Sequence, residues 1–171
     1  MSEKARQLAI KWHNGQKYGE HDYVYHLDKV VQIIDEYYDT LDIGIRTEFT
    51  IELARIIGYL HDILEDTKIP WEELYGYVGE IIRPIESLSD AEGKNRKERK
   101  RKTWYKIRKF SVAIFVKIAD RIANMREAVQ TDNTSKIQMY KKEFEAFEAA
   151  LYIPGFADQM WAELRILHET S

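Results

Sequence analysis

The sequence predicts an all-α fold, and two observations carry that prediction. Apolar residues recur at intervals of three and four along most of the chain, the period of a helix with one buried face. Helix breakers are few, eight Gly and three Pro in 171 residues, while Lys, Glu, Ala, Ile and Leu are plentiful. A chain of this length suits one domain, which buries about two-thirds of the surface its unfolded form exposes.

Each element follows in order. Ala5, Leu8, Ala9 and Trp12 mark one face of a first helix, which Asn14-Gly15 stops. Residues 15–23 are polar and contain glycine, so they read as a loop. Leu27, Val30, Val31, Ile34 and Tyr38 mark a second helix, and Thr47 is suited to cap a third over 48–66. Its stretch 54–64 is apolar nearly all round, as expected of a helix in the middle of a domain. Residues 67–70 end it, and Pro70 opens a short helix over 71–78. Another spans 79–88, with Pro84 kinking or splitting it. A turn at 89–93 precedes a strongly basic helix at 94–109. Ser111 is suited to cap a second buried helix over 112–125. Val112 to Val116 also fit a strand, but the Ala-rich register that follows favours helix. Amphipathic helices at 134–152 and 155–167 close a bundle of eight to nine helices.

Composition narrows the function. With 26 basic against 29 acidic residues, the formal charge is −3, which argues against a generally basic nucleic-acid binder. No cysteine is present, so disulfides, thiolate metal sites and thiol nucleophiles are excluded. The first residues are charged and no run approaches the ~20 apolar residues of a membrane helix. A cytoplasmic protein without a membrane partner is the expectation.

Two acidic features interrupt the segments that most call for burial. His61-Asp62 lies within the apolar third helix, and Asp120 within the second buried one. An unpaired buried carboxylate costs several kcal/mol, so each must be paired, protonated or bound to a cation. On a continuous helix Glu65 stacks over His61 and Asp66 over Asp62, turning one imidazole and three carboxylates to a common region. A buried ion pair is the competing reading of each feature taken alone; their joint occurrence with His26 favours a metal.

The order His26, His61-Asp62, Asp120 resembles the H…HD…D pattern of the HD phosphohydrolase superfamily, with 35 positions from His26 to His61 and 58 from Asp62 to Asp120. Residues 13–16 (HNGQ), 60–67 (LHDILEDT) and 116–125 (VKIADRIANM) are similar to the RelA/SpoT-type hydrolase branch, which includes small alarmone hydrolases that remove pyrophosphate from the 3′ position of ppGpp. The resemblance covers about residues 3–165 and implies a single hydrolase domain over 1–171. It implies that His26, His61, Asp62 and Asp120 hold one divalent metal, commonly Mn2+, since 63–119 carries no further histidine. Glu65 would act as general base toward a metal-bound water and Asp66 would assist it. For the nucleotide substrate it implies Lys17, Tyr18, Asn124 and Tyr140, with Arg96, Arg99 and Lys100 as phosphate-gripping candidates from the basic helix.

The resemblance departs at 17–22, where Lys-Tyr-Gly-Glu-His-Asp replaces a more basic segment, and at Glu127, an acid in place of the family's hydroxyl. Two other readings therefore remain. One is an HD-type phosphatase acting on a different nucleotide, such as a nicotinamide or deoxynucleotide phosphate. The other is a non-enzymatic helical module binding nucleic acid through 94–109.

Overall fold

The computed structural model describes residues 1–170. Its chain order is α1 (Ser2–Trp12), a hairpin of β1 (Lys17–Tyr18) and β2 (His21–Asp22), α2 (Val24–Tyr38), α3 (Ile43–Arg46), α4 (Ile51–Leu60) and α5 (Ile63–Asp66). There follow α6 (Trp71–Val78), a 3-10 turn (Gly79–Ile81), α7 (Ile82–Leu88), α8 (Arg96–Ile107), α9 (Ser111–Gln130), α10 (Thr134–Leu151) and α11 (Asp158–Thr170). Setting aside the single turns α3 and α5, nine helices remain among the described residues, an all-α bundle as expected.

Helix α9 is the axis of this bundle. Fourteen of its twenty residues are buried, and α2, α4, α7, α10 and α11 all pack on it. Its Phe115 meets Phe49 and Tyr38 edge-on or tilted, while Trp161 of α11 and Phe147 of α10 fill the other side. Helix α4 lies against α1, α2 and α9. Gly58 permits this approach, since a Cβ there would come within 2.7 Å of Ile34 Cδ1 on α2. No described helix is long and apolar enough to cross a membrane.

Several boundaries differ from expectation, each for a local reason. The loop at 15–23 contains the β1–β2 hairpin, with Lys17 opposite Asp22 and Tyr18 opposite His21. Gly19 makes its two-residue turn at φ +59°, a conformation few other residues adopt readily. Thr47 does not cap the third helix; it ends α3, and Thr50 accepts the Leu53 N–H instead. Ser111 is the first residue of α9 rather than its cap, and its hydroxyl bonds Glu48. The split near Pro84 falls before it, so the proline occupies the first turn of α7, where its missing N–H costs nothing. The last helix starts at Asp158 rather than Gly155.

The break that matters lies at His61-Asp62. The expected third helix stops at Leu60, and a single turn resumes at Ile63. His61 Nδ1 donates to the Gly58 carbonyl at 2.8 Å, the acceptor that a continuous helix reserves for the Asp62 N–H. The side chain thus displaces a backbone bond and frees the chain to turn. Asp62 sits at φ −100°, ψ −3°, and its carbonyl accepts from Glu65 and Asp66.

Candidate metal centre

Three helices bring the four expected ligands together. Helix α2 carries His26 near its start, the α4–α5 break carries His61 and Asp62, and α9 carries Asp120. His26, His61 and Asp62 each offer one ligand atom, all within 4.8 Å of one another. Asp120 lies outside that mutual set but faces both imidazoles: its Oδ1 is 3.3 Å from His26 Nε2 and 3.7 Å from His61 Nε2. Asp62 Oδ2 lies 2.9 Å from His61 Nε2 and 3.8 Å from His26 Nε2.

The donor set fits a cation. Because the Gly58 carbonyl can only accept, Nδ1 of His61 carries its hydrogen and Nε2 is turned to the carboxylates. That Nε2 is fully buried and makes no hydrogen bond, although carboxylate oxygens surround it. Burial opposes charge on His61, but Asp62 and Asp120 outweigh it and lift its pKa to about 10. Burial likewise raises Asp120, yet Lys117 and the two imidazoles overcome it and hold the carboxyl well below the usual range. A divalent ion is the species that two imidazoles and two ionised carboxylates would jointly stabilise.

Neighbouring side chains fix these groups in place. Tyr23 O–H donates to Asp62 Oδ2 at 2.6 Å, and its ring stacks on His13 at 4.5 Å. His13 in turn bonds Gln16, whose amide donates to the Asp66 carbonyl. Lys117 Nζ donates to Asp120 Oδ2 at 2.8 Å, and Asn124 Nδ2 to Asp120 Oδ1 at 2.6 Å. Tyr18 stacks on His26 at 4.8 Å, donates to Asn124 Oδ1 at 2.9 Å and accepts from Lys136 at 3.0 Å.

The remaining candidates divide. Glu65 faces solvent, and its Oε2 accepts the Asp90 N–H at 2.9 Å; partial loss of hydration, then the charges of Asp90 and Asp62, raise its pKa. Asp66 follows Asp62 by one helical turn, its N–H donating to the Asp62 carbonyl at 2.8 Å, and its carboxylate, like that of Asp62, meets the Tyr23 hydroxyl. Lys100 Nζ holds Asp90 Oδ1 at 2.7 Å and so joins the Glu65 side of the site. Arg96 pairs with Glu143 at 2.5 Å, and Glu143 also lies 3.3 Å from Arg121. Arg121 is buried with its guanidinium over Tyr140 and Phe147, and Tyr140 lies close enough to Asp120 for that charge, after burial, to help raise its hydroxyl pKa. Arg99 packs by Gly93 and makes no contact with the ligand cluster among the described residues. Lys17 is exposed and pairs with Asp22.

Tyr23, Lys117 and Lys136 were not singled out by sequence. Tyr23 and Lys117 each precede a ligand by three positions on a helix, a spacing that signals contact. Lys136 arrives from α10 through tertiary packing, for which the sequence offers no local signal.

Residues 23–125 match the HD domain family, a span that holds all four ligands. The chain belongs to that family. The HD fold extends to a solved structure of a metazoan ortholog of SpoT, reported to hydrolyse ppGpp and to play a role in starvation responses. The two share 20% identity, a TM-score of 0.67, 95% of this chain and 94% of that one. At that identity the likeness is one of fold.

Proposed function

We propose that this HD-domain chain is a metal-dependent phosphohydrolase that releases pyrophosphate from the 3′ position of ppGpp. The observation that carries the hydrolase reading is the convergence of His26, His61, Asp62 and Asp120 around a buried, unbonded His61 Nε2. Likeness to a ppGpp-hydrolysing SpoT ortholog along nearly the whole of both chains supports the substrate. The reading includes one domain over 1–171, a cytoplasmic setting and a small-molecule substrate, with no nucleic acid or membrane involved.

The four ligands would hold one divalent ion, for which we assign Mn2+. Such an ion lowers the pKa of bound water and polarises a phosphoryl oxygen. The chain's own residues do the rest. Lys117 and Asn124 fix Asp120, while Tyr23 fixes Asp62, so the ligands need no reorganisation. Glu65 accepts the proton of the attacking water. The water oxygen bonds to the phosphorus on the 3′ oxygen, the P–O3′ bond breaks, and the 3′ oxygen takes up that proton. Pyrophosphate and a nucleoside 5′-diphosphate result. Lys17 and Tyr18 border the cleft that receives the nucleoside, Asn124 holds the Tyr18 hydroxyl, and Lys100 is the α8 cation linked to the site.

A nucleotide panel with added Mn2+, reading phosphate and pyrophosphate separately, tests this. Mn2+-stimulated pyrophosphate release from ppGpp is expected. Phosphate release from a nicotinamide or deoxynucleotide phosphate, with ppGpp untouched, would replace the substrate and keep the hydrolase. No product from any nucleotide would overturn both.

A further inference from the structure

We infer that Glu127 reads the base and makes the site select guanine over adenine; this rests on the reading of the site as one for a purine nucleotide. A cleft of about 550 Å³ opens beside Tyr18, lined among others by Glu20, Thr131, Asn133, Lys136 and Glu127. Tyr18 joins it to the ligands, with its ring on His26 and its hydroxyl on Asn124, which holds Asp120. Glu127 lies seven residues after Asp120 on α9, about 10 Å of helical rise. That span is comparable to the distance from a ribose phosphate to the outer edge of its base.

A carboxylate in a cleft that receives a polyphosphate ester is a liability unless the ligand brings donors to it. Tyr25 O–H donates to Glu127 Oε2 at 3.2 Å, which uses one of the four lone-pair positions of the carboxylate. Guanine carries two parallel donors, N1–H and the 2-amino group, which match a carboxylate as a fork. Its neighbouring O6 is an acceptor suited to the Lys136 ammonium, half-buried in the same cleft. Adenine turns the N1 lone pair toward a carboxylate and its amino group toward an ammonium. Both contacts repel, so Glu127 and Lys136 attract one base and reject the other.

Calorimetric titration of guanosine, inosine and adenosine 5′-diphosphates into the Mn2+-loaded protein reads the base without any bond being cleaved. The guanosine compound is expected to bind at least about tenfold tighter than the adenosine one, because a site with polar groups left unpaired rejects the mismatched ligand. Inosine, lacking the 2-amino donor, should fall between. Glu127→Gln should shrink the guanosine preference at least about threefold, since an amide offers adenine one donor and one acceptor, while Lys136 continues to favour O6. Circular dichroism melting checks that the variant folds. Equal binding of the two bases, absence of binding, or a preference unchanged in Glu127→Gln overturns the assignment. A guanine preference that depends on Glu127, with ppGpp left intact by the enzyme, upholds it and overturns only the proposed reaction.

Discussion

Helices α8 and α9 follow one another in the chain and use charge in opposite ways. Helix α8 is dense in Lys and Arg, yet only Thr103, Trp104 and Ile107 are buried along its twelve residues. Of its cations, Arg96 is answered at the surface by Glu143 and Lys102 by Glu98, while Lys100 makes a half-buried pair with Asp90. Helix α9 carries fewer charges, but Asp120 and Arg121 are buried and Lys117 nearly so, its side chain 13% exposed. Exposed pairs contribute little because water and salt screen them, whereas each buried charge requires a partner of fixed geometry. The lesson is that burial, more than charge density, locates the chemistry.

The largest effect expected from this contrast is at Asp120. Asp120→Ala removes the partner of Lys117 and leaves a mostly buried ammonium uncompensated. A loss of about 3–5 kcal/mol in unfolding free energy is expected, because breaking one side of a buried pair strands the other. Asp120→Asn keeps the shape and one acceptor, so it should cost less stability while also losing metal binding and hydrolysis. Urea unfolding and a metal titration of both variants check the pair. If Asp120→Ala unfolds no more easily than an exposed α8 variant, the contrast between the helices fails.

Next comes Glu65, which α8 reaches through Lys100 and Asp90. Glu65→Gln should lower kcat about 10²–10⁴-fold, the usual contribution of a positioned base. A base must be deprotonated to act, and the pKa of Glu65 is raised. Activity should therefore climb with pH along an acidic limb displaced above that of an ordinary glutamate, and Glu65→Gln should abolish the limb. Lys100→Met exposes Glu65 to the unmasked charge of Asp90, which raises its pKa further. The limb should then move to higher pH. A shift to lower pH, or none, would detach Lys100 from the site.

Most of the bundle was legible in sequence because apolar spacing reports burial, and burial fixes which helices lie inside. Trp12, Tyr38 and Val78 end helices where the pattern stops. The four ligands were legible for the converse reason: a His-Asp pair and an Asp stand where the pattern demands apolar residues. Capping was read less well, since Thr47 and Thr50 are equally good caps and only packing chooses between them. The break at His61 escaped because a side chain taking a backbone acceptor leaves no trace in periodicity. Arg99 is suggested by charge density and by the family resemblance of its segment, and neither carries the direction of a side chain. Lys136 depends on α10 folding back over the hairpin, which only tertiary structure reveals.

The smallest effect belongs to the outer face of α8. Lys97 and Arg101 are exposed on it, away from the residues that link Lys100 to Glu65. Lys97→Gln with Arg101→Gln should change unfolding free energy by no more than about 0.5 kcal/mol, as exposed substitutions usually do. If α8 is a solvated face, kcat/KM should stay within about twofold of the unmodified protein. Its dependence on ionic strength should also be unchanged, because charges beyond a Debye length of about 8 Å hardly act on the substrate at physiological salt. A fall in kcat/KM that deepens at low salt would mean that the dense run steers the polyphosphate inward from a distance. Density would then matter in its own right, acting on encounter rate where α9 acts on the bound state.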